Sequence, residues 1–169
     1  MGKTIKEGLY VMTNEPDLST VIPWSEYLEQ HQQTSDMASA SEMRKRAMEF
    51  VRSHKWCRSV ERVYVGFIHP DIVAVFLFLI DPSEPGVDEW IWVVVGDLPP
   101  AYVASDECPT PATALDGYIG AMDDWVNAVE DGRSVDDLIP VNAPPTKEFA
   151  HRLNTRLDFL HQQILPLHQ

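Results

Sequence analysis

The sequence predicts an α+β domain: an antiparallel sheet of three to four strands packed with an N-terminal helix and two C-terminal helices. Three observations predict it. Apolar residues recur at three- and four-residue steps in one segment before the middle of the chain and in two segments after it, the period of a helix with one buried face. Between them lie runs rich in Val, Ile, Phe and Trp, the composition of strands. The turns joining those runs are short, and a parallel return needs a long crossover, so the strands must pair antiparallel.

A single domain is expected over residues 1–169, with residues 1–38 a less regular N-terminal arm. In that arm, Gly8 to Met12 reads as a short strand, and Asn14, Pro16 and Asp17 read as a turn. Pro23 followed by Trp24, Tyr27, Leu28 and His31 suggests a short helix with proline near its start, and Gln30 to Ser35 a linker. The first long helix is expected from about Ser39 to Ser53, capped by Ser39 or Ser41. Met43, Ala47, Phe50 and Val51 form its apolar stripe, and Arg44, Lys45, Arg46 and Arg52 lie mostly off it.

Three strands follow. Val60–His69 is the first, and His69-Pro70-Asp71 is a turn, because proline fixes φ and aspartate can close the turn with its side chain. Ile72–Asp81 and Trp90–Gly96 are the second and third, separated by the proline- and glycine-containing loop Pro82–Asp88. Neither shows the apolar–polar alternation of a half-exposed sheet, so both faces must be covered, and Trp92, Phe76 and Phe78 should be buried. Leu98-Pro99-Pro100 reads as the end of the third strand, and Ala101–Ser105 as a short edge strand. Helices can cover the two sheet faces, and a homodimer would cover whatever they leave.

The first C-terminal helix is well punctuated. Thr110 is a good cap, Pro111 suits the first helical position, and Gly132 suits the residue just past the end. Leu115, Tyr118, Met122, Trp125 or Val126, and Val129 make its buried stripe. The last helix runs from about Thr146 to Leu165, on the stripe Phe149, Leu153, Leu157, Leu160 and Ile164.

Composition excludes several classes. With 26 acidic against 13 basic residues the chain has a net charge of −13, which opposes the electrostatic footprint of a nucleic-acid binder. The longest apolar run, Ile72–Ile80, is about half the ~20 residues of a membrane-spanning helix. No apolar stretch near the N-terminus reads as a secretory signal, and the two cysteines, expected as free thiols, are too few for a disulfide scaffold. A cytoplasmic location is therefore expected.

Charge is unevenly distributed. Asp81–Asp137 holds 14 acidic residues and one basic residue, Arg133, so this segment carries the whole net charge of −13. Ser41–Arg62 is the reverse, with seven basic residues against three acidic ones. On the penultimate helix, Asp116, Asp123 and Glu130 are seven apart and share a face, which Asp124 extends and Asp136 and Asp137 follow. Acidic groups near a helix C-terminus oppose its dipole, so this cluster does not favour the helix that bears it. Two readings stand: a solvated face that keeps the protein soluble, or a docking surface for a cationic partner, anchored by Trp125 or Tyr118 if either is exposed.

No motif fixes a reaction, and no catalytic residue, metal ligand or cofactor is assigned. His54 and Cys57, near Lys55 and Arg58, could activate a thiol, but no third orienting group follows from the spacing. Cys108 precedes a helix N-terminus beside two opposing acids, Asp106 and Glu107. Glu148-x-x-His151 and Asp158-x-x-His161 have the carboxylate–histidine spacing of di-metal bundles, yet both lie on one helix about 15 Å apart and cannot meet at one ion. Trp90 and Trp92 share a strand face; packing against a covering helix is the favoured reading, and an aromatic floor for a ligand pocket is the alternative.

Size, acidity and the α+β layout together resemble the small immunity proteins with which bacteria neutralise toxins of their own interference systems. Leu98-Pro99-Pro100-Ala101-Tyr102 followed by Pro111–Trp125 has the look of a family signature. The resemblance lies in architecture and charge and carries over no functional residue. It implies a cytosolic inhibitor without turnover, whose acidic surface plugs the basic site of a toxin, a nuclease being the natural candidate. The alternatives are a small-molecule-binding domain or small enzyme with a pocket over the sheet tryptophans, and an oligomeric scaffold or regulatory protein acting through the basic helix.

Overall fold

The computed structural model of the chain describes the backbone of residues 2–6 and 9–13 and the full structure of residues 15–169. In chain order the elements are β1 (Gly2–Lys6), β2 (Leu9–Thr13), β3 (Ile22–Pro23), α1 (Trp24–His31), α2 (Met37–Arg52), β4 (Cys57–His69), β5 (Val73–Pro82), β6 (Trp90–Gly96), β7 (Leu98–Ala104), α3 (Pro111–Glu130) and α4 (Lys147–Phe159). β1 and β2 form an antiparallel pair of their own. The strand expected from Gly8 corresponds to β2, with Gly8 itself, like Asn14 of the expected turn, outside the described residues. Asp17 caps a single 3-10 turn over Leu18–Thr20, its carboxylate accepting from the Ser19 backbone N–H at 3.0 Å.

The main sheet is antiparallel throughout, in the order β3-β4-β5-β6-β7. The fold is α+β, with five strands in this sheet rather than the three or four expected. The surplus lies at the edges. β3 is two residues long and pairs only with Val65 and Tyr64, too short to leave a periodic signal. Leu98-Pro99-Pro100, read as the end of a strand, instead begins β7. An edge strand tolerates proline because its missing N–H need not remove a ladder bond. The reversal from β6 to β7 is tight. Gly96 has φ +152°, and a Cβ there would sit 2.2 Å from the Ile72 carbonyl oxygen. The next N–H, of Asp97, donates to that same carbonyl at 3.0 Å.

Alternate residues of the central strands enter two different cores. Ala74, Phe76, Phe78 and Ile80 of β5, with Ile91, Val93 and Val95 of β6, pack against Met43, Ala47 and Val51 of α2. Trp24 and Tyr27 of α1 complete that side. Val75 and Leu77 of β5, with Trp92 and Val94 of β6, pack against Leu115, Tyr118 and Met122 of α3 and Leu153 and Leu157 of α4. Both apolar faces are thus covered by helices of the same chain. The reason for expecting a homodimer, an uncovered sheet face, is removed.

Two local features differ from the sequence reading. α2 begins at Met37, and neither Ser39 nor Ser41 caps it. The Ser39 hydroxyl instead donates to the Asp71 carboxylate at 2.8 Å and accepts from the Asp71 N–H at 2.9 Å. This ties α2 to the β4–β5 turn, where Asp71 has φ +63°, a left-handed conformation that aspartate tolerates. α4, expected to run to Leu165, ends at Phe159 and continues as a π turn (Leu160–Ile164) and a 3-10 turn (Leu165–Leu167). Leu160, Ile164 and Leu165 remain buried through this change of pitch. His168 then stacks on Phe67 at 3.8 Å, its Nε2 2.8 Å from that of His69.

Phe76 is fully buried, between neighbours on α1 and β6. Phe76→Ala is expected to lower the unfolding free energy in urea by about 3–5 kcal/mol; a loss below about 1 kcal/mol would mean that its face is open. The paired histidines set a pH dependence. A single shared proton satisfies both Nε2 atoms, and burial holds both imidazoles below the usual histidine range, with His69 adding to the shift of His168. The folded state therefore binds fewer protons than the unfolded one just below the ordinary value of ~6.5, and stability falls as the pH drops through that value. Acidification from pH ~7 to ~5.5 should lower the Tm less in His168→Asn than in wild type; equal losses would contradict the assignment.

Candidate functional site

α3 is sharply bounded. Thr110 Oγ1 accepts from the Thr113 N–H at 3.2 Å, and Thr113 Oγ1 accepts in return from the Thr110 N–H at 2.9 Å, with Pro111 at the first helical position. At the other end Gly132, at φ +70°, lets the chain turn back. Its N–H donates to the Val129 carbonyl at 3.2 Å, and that of Arg133 donates to the Ala128 carbonyl at 2.7 Å. These ends fix the helix rotation, and the sheet fixes which side is inward: Leu115, Tyr118, Met122, Trp125, Val126 and Val129 are buried.

The outward side is acidic. Asp116, Asp124 and Glu130 are exposed, and so are Asp136 and Asp137 in the loop beyond. Asp131, also exposed, holds Arg133 in an ion pair at 3.2 Å. Asp123 departs from the group. It is half-buried on the side of α3 that meets α4. Burial raises its carboxyl above the usual range, and the nearby Asp158 and Asp124 add to this, while His161 acts the other way. The helical-wheel face is therefore split, with five of the six expected residues on the open surface and one in the α3–α4 seam.

Neither expected aromatic anchor is exposed. Trp125 and Tyr118 belong to the core, and the Tyr118 hydroxyl donates to the Pro99 carbonyl at 2.5 Å. Trp90 and Trp92 pack into the core, as a covering helix requires, rather than floor a pocket. Trp92 is fully buried beneath α3, with its Nε1–H donating to the Cys108 carbonyl at 2.6 Å, and Trp90 packs against Tyr64. The alternation placed these rings on one face correctly; what covers that face is a tertiary fact.

The other candidates do not assemble. The His54 Nδ1–H donates to the Phe50 carbonyl at 2.8 Å, and the Cys57 thiol donates to the Ser59 carbonyl at 3.6 Å, so no imidazole activates the thiol. Burial raises the Cys57 thiol despite Arg52, and burial with Glu107, Asp106 and Asp116 raises that of Cys108. Neither has thiolate character, and the two are not joined. Glu148 makes an ion pair with Arg152 at 4.0 Å. Among the described residues no three His, Cys, Asp or Glu side chains gather as metal ligands, Asp123, Asp158 and His161 included.

One grouping escaped the sequence reading. Arg44 and Arg52 of α2 line a groove that begins at Trp24 and runs along the open edge of β4, and the Arg44 guanidinium lies 5.2 Å from the centroid of the Trp24 ring. The basic run was visible, but its convergence with an aromatic from the N-terminal arm was not. No family profile, characterised protein or solved structure matches this chain. Among the described residues no helix is long and apolar enough to cross a membrane.

The Asp123 environment yields a test. Its raised carboxyl means that the charged form is penalised in the folded state, so the penalty is present at neutral pH and relieved as the pH falls through the folded-state value. Asp123→Asn is therefore expected to raise the Tm at pH ~7 and to lose that advantage at pH ~3.5, where Asp123 is largely protonated. A variant less stable than wild type at neutral pH would contradict this account.

Proposed function

We propose that this protein is a stoichiometric binding protein of the immunity type, a cytoplasmic inhibitor that docks on a cationic protein through the outer side of α3 and the loop after it. The observation that carries this reading is the segregation of charge. Asp116, Asp124, Glu130, Asp136 and Asp137 share the exposed side, and the nearby Arg133 is held by Asp131. Glu130 lies in the last turn of α3, where the helix dipole disfavours it, and no basic residue stands in that turn. A cationic partner relieves both that opposition and the mutual repulsion.

Such a surface acts first on the rate of encounter. Complementary potentials steer association and raise its rate by tenfold or more at low ionic strength, fading as salt shortens the Debye length. Because Tyr118 and Trp125 are committed to the core, recognition rests on charged groups at the surface rather than on a buried aromatic anchor. A toxin whose site accommodates phosphates has the complementary charge.

The direct test pairs the chain with the product of the adjacent reading frame, by stopped-flow association at two salt concentrations. The Asp124→Lys/Asp137→Lys double variant, altered only at exposed positions, is expected to associate at least about tenfold more slowly at low salt and to show a flatter salt dependence. Binding with unchanged rate and unchanged salt response would make the acidic face a solubility device.

A further inference from the structure

The main sheet keeps one edge with no strand beside it. β3 covers β4 only at Val65 and Tyr64, and among the described residues no backbone bond outside the β4–β5 pair engages Val60–Val63. The outward N–H and C=O groups of this stretch border a groove of about 560 Å³ that opens toward α1 and α2. An open edge of this kind is a template for one more strand. A second copy of β4 is a poor occupant. Its Arg58 and Arg62 would bring like charge to like charge, and the register shifts at Cys57/Ser59 and Val60/Arg62 bend the edge.

The opposite wall of the groove is one row of α2. Arg44, Met48 and Arg52 follow at four-residue steps, and all three line the groove. Val60 and Val63 pack on this same side of the sheet, against the α2 core. Trp24 closes one end, with the Arg44 guanidinium 5.2 Å from its ring centroid. The Arg62 side chain takes no part: it lies on the other side of the sheet with Tyr64, to whose hydroxyl it donates at 3.4 Å. Neither Arg44 nor Arg52 has an ion-pair partner among the described residues. Arg44 Nε is also shielded from solvent with no hydrogen-bond partner, and burial and the like charge of Arg52 disfavour its protonated form. The wall therefore carries two cations with apolar surface between them, facing an unpaired strand edge.

We propose that this groove receives an extended acidic segment of a partner protein, which adds to the β4 edge as a strand and carries two carboxylates four residues apart with an apolar residue midway. Backbone pairing with Val60–Val63 supplies affinity, and alternate side chains supply specificity. The spacing follows from the geometry of the two elements. Arg44 and Arg52 are eight residues apart on a helix, which is ~12 Å along its axis. Alternate residues of a strand share a face, and four residues of strand rise ~13 Å. Carboxylates at that separation meet the two guanidinium groups in charge-assisted hydrogen bonds, and the residue between them meets Met48. This site takes a partner of opposite charge to the one drawn by the acidic face of α3, so neither surface depends on the other.

Isothermal titration at low ionic strength with an end-capped heptapeptide tests the assignment. Its second, fourth and sixth residues are glutamate, isoleucine and glutamate, and the rest are threonine. It is expected to bind with a Kd below about 1 mM, at least about tenfold tighter than a rearranged peptide whose glutamates are adjacent. N-methylation of one alternating set of its amides should abolish binding and methylation of the other set should not, because only one set faces β4. Arg52→Gln should weaken binding at least about fivefold. Arg52→Glu should weaken it further, and one of the two peptides with lysine in place of a single glutamate should recover it. Arg152→Gln, an exposed arginine of α4 on the other side of the sheet, should leave binding unchanged. Circular dichroism of each variant confirms that it is folded, and Arg52→Gln carries the test if Arg52→Glu is not. No heat at ~5 mM peptide, equal binding of the rearranged peptide, indifference to both methylated peptides, or equal weakening by Arg152→Gln would each overturn it. So would a folded Arg52→Glu variant that neither lysine peptide rescues.

Discussion

Everything in this molecule follows from two strands that have no polar face. β5 and β6 are apolar on both sides, so neither side of the sheet can meet water. Each buried Leu, Ile, Val or Phe contributes roughly 1.5–3 kcal/mol only if something covers it. The chain answers with α1 and α2 on one side and α3 and α4 on the other. Because all four helices are committed to covering the sheet, each has one side given to packing, and charge is carried on what remains.

That division separates the charges in space as well as in sequence. The basic residues of α2 lie on one side of the sheet, and Asp116, Asp124, Glu130, Asp136 and Asp137 lie on α3 and its following loop on the other. The two surfaces carry opposite electrostatic frustration. On α3, exposed carboxylates face one another and an unfavourable helix end. Beside α2, Arg44 and Arg52 repel each other, with no ion-pair partner for either among the described residues. Local rules broken at the surface, on a core where sequence and packing agree, are where binding is expected. The proposed acidic docking face is a way of relieving the first of these conflicts.

Much of the fold was legible because its signals are local. Thr110, Pro111 and Gly132 mark the ends of α3 in the sequence, and the structure realises each of them. The continuous apolar runs correctly demanded cover on both sheet faces. What was not legible depends on distant partners. Ser39 has the chemistry of a cap, but Asp71 takes its hydroxyl. Two prolines at Leu98-Pro99-Pro100 look like a strand end until β7 is seen to be an edge. Asp123 shares a helical-wheel face with Asp116 and Glu130, yet α4 packs beside it and not beside them. Trp24 and Phe76, far apart in sequence, meet edge to face because β3 lays the N-terminal arm along β4.

The central claim, that one chain closes both faces of its own sheet, is tested most directly by native-state amide hydrogen exchange on the protein at a concentration where sedimentation shows a single monomeric species. If both faces are sealed by intrachain helices, the amides of β5 and β6 should exchange only through global unfolding, with a free energy equal to that from denaturant titration. Exchange of those amides through a lower-energy local opening, or protection that rises with protein concentration, would show that one face depends on cover the chain does not itself provide.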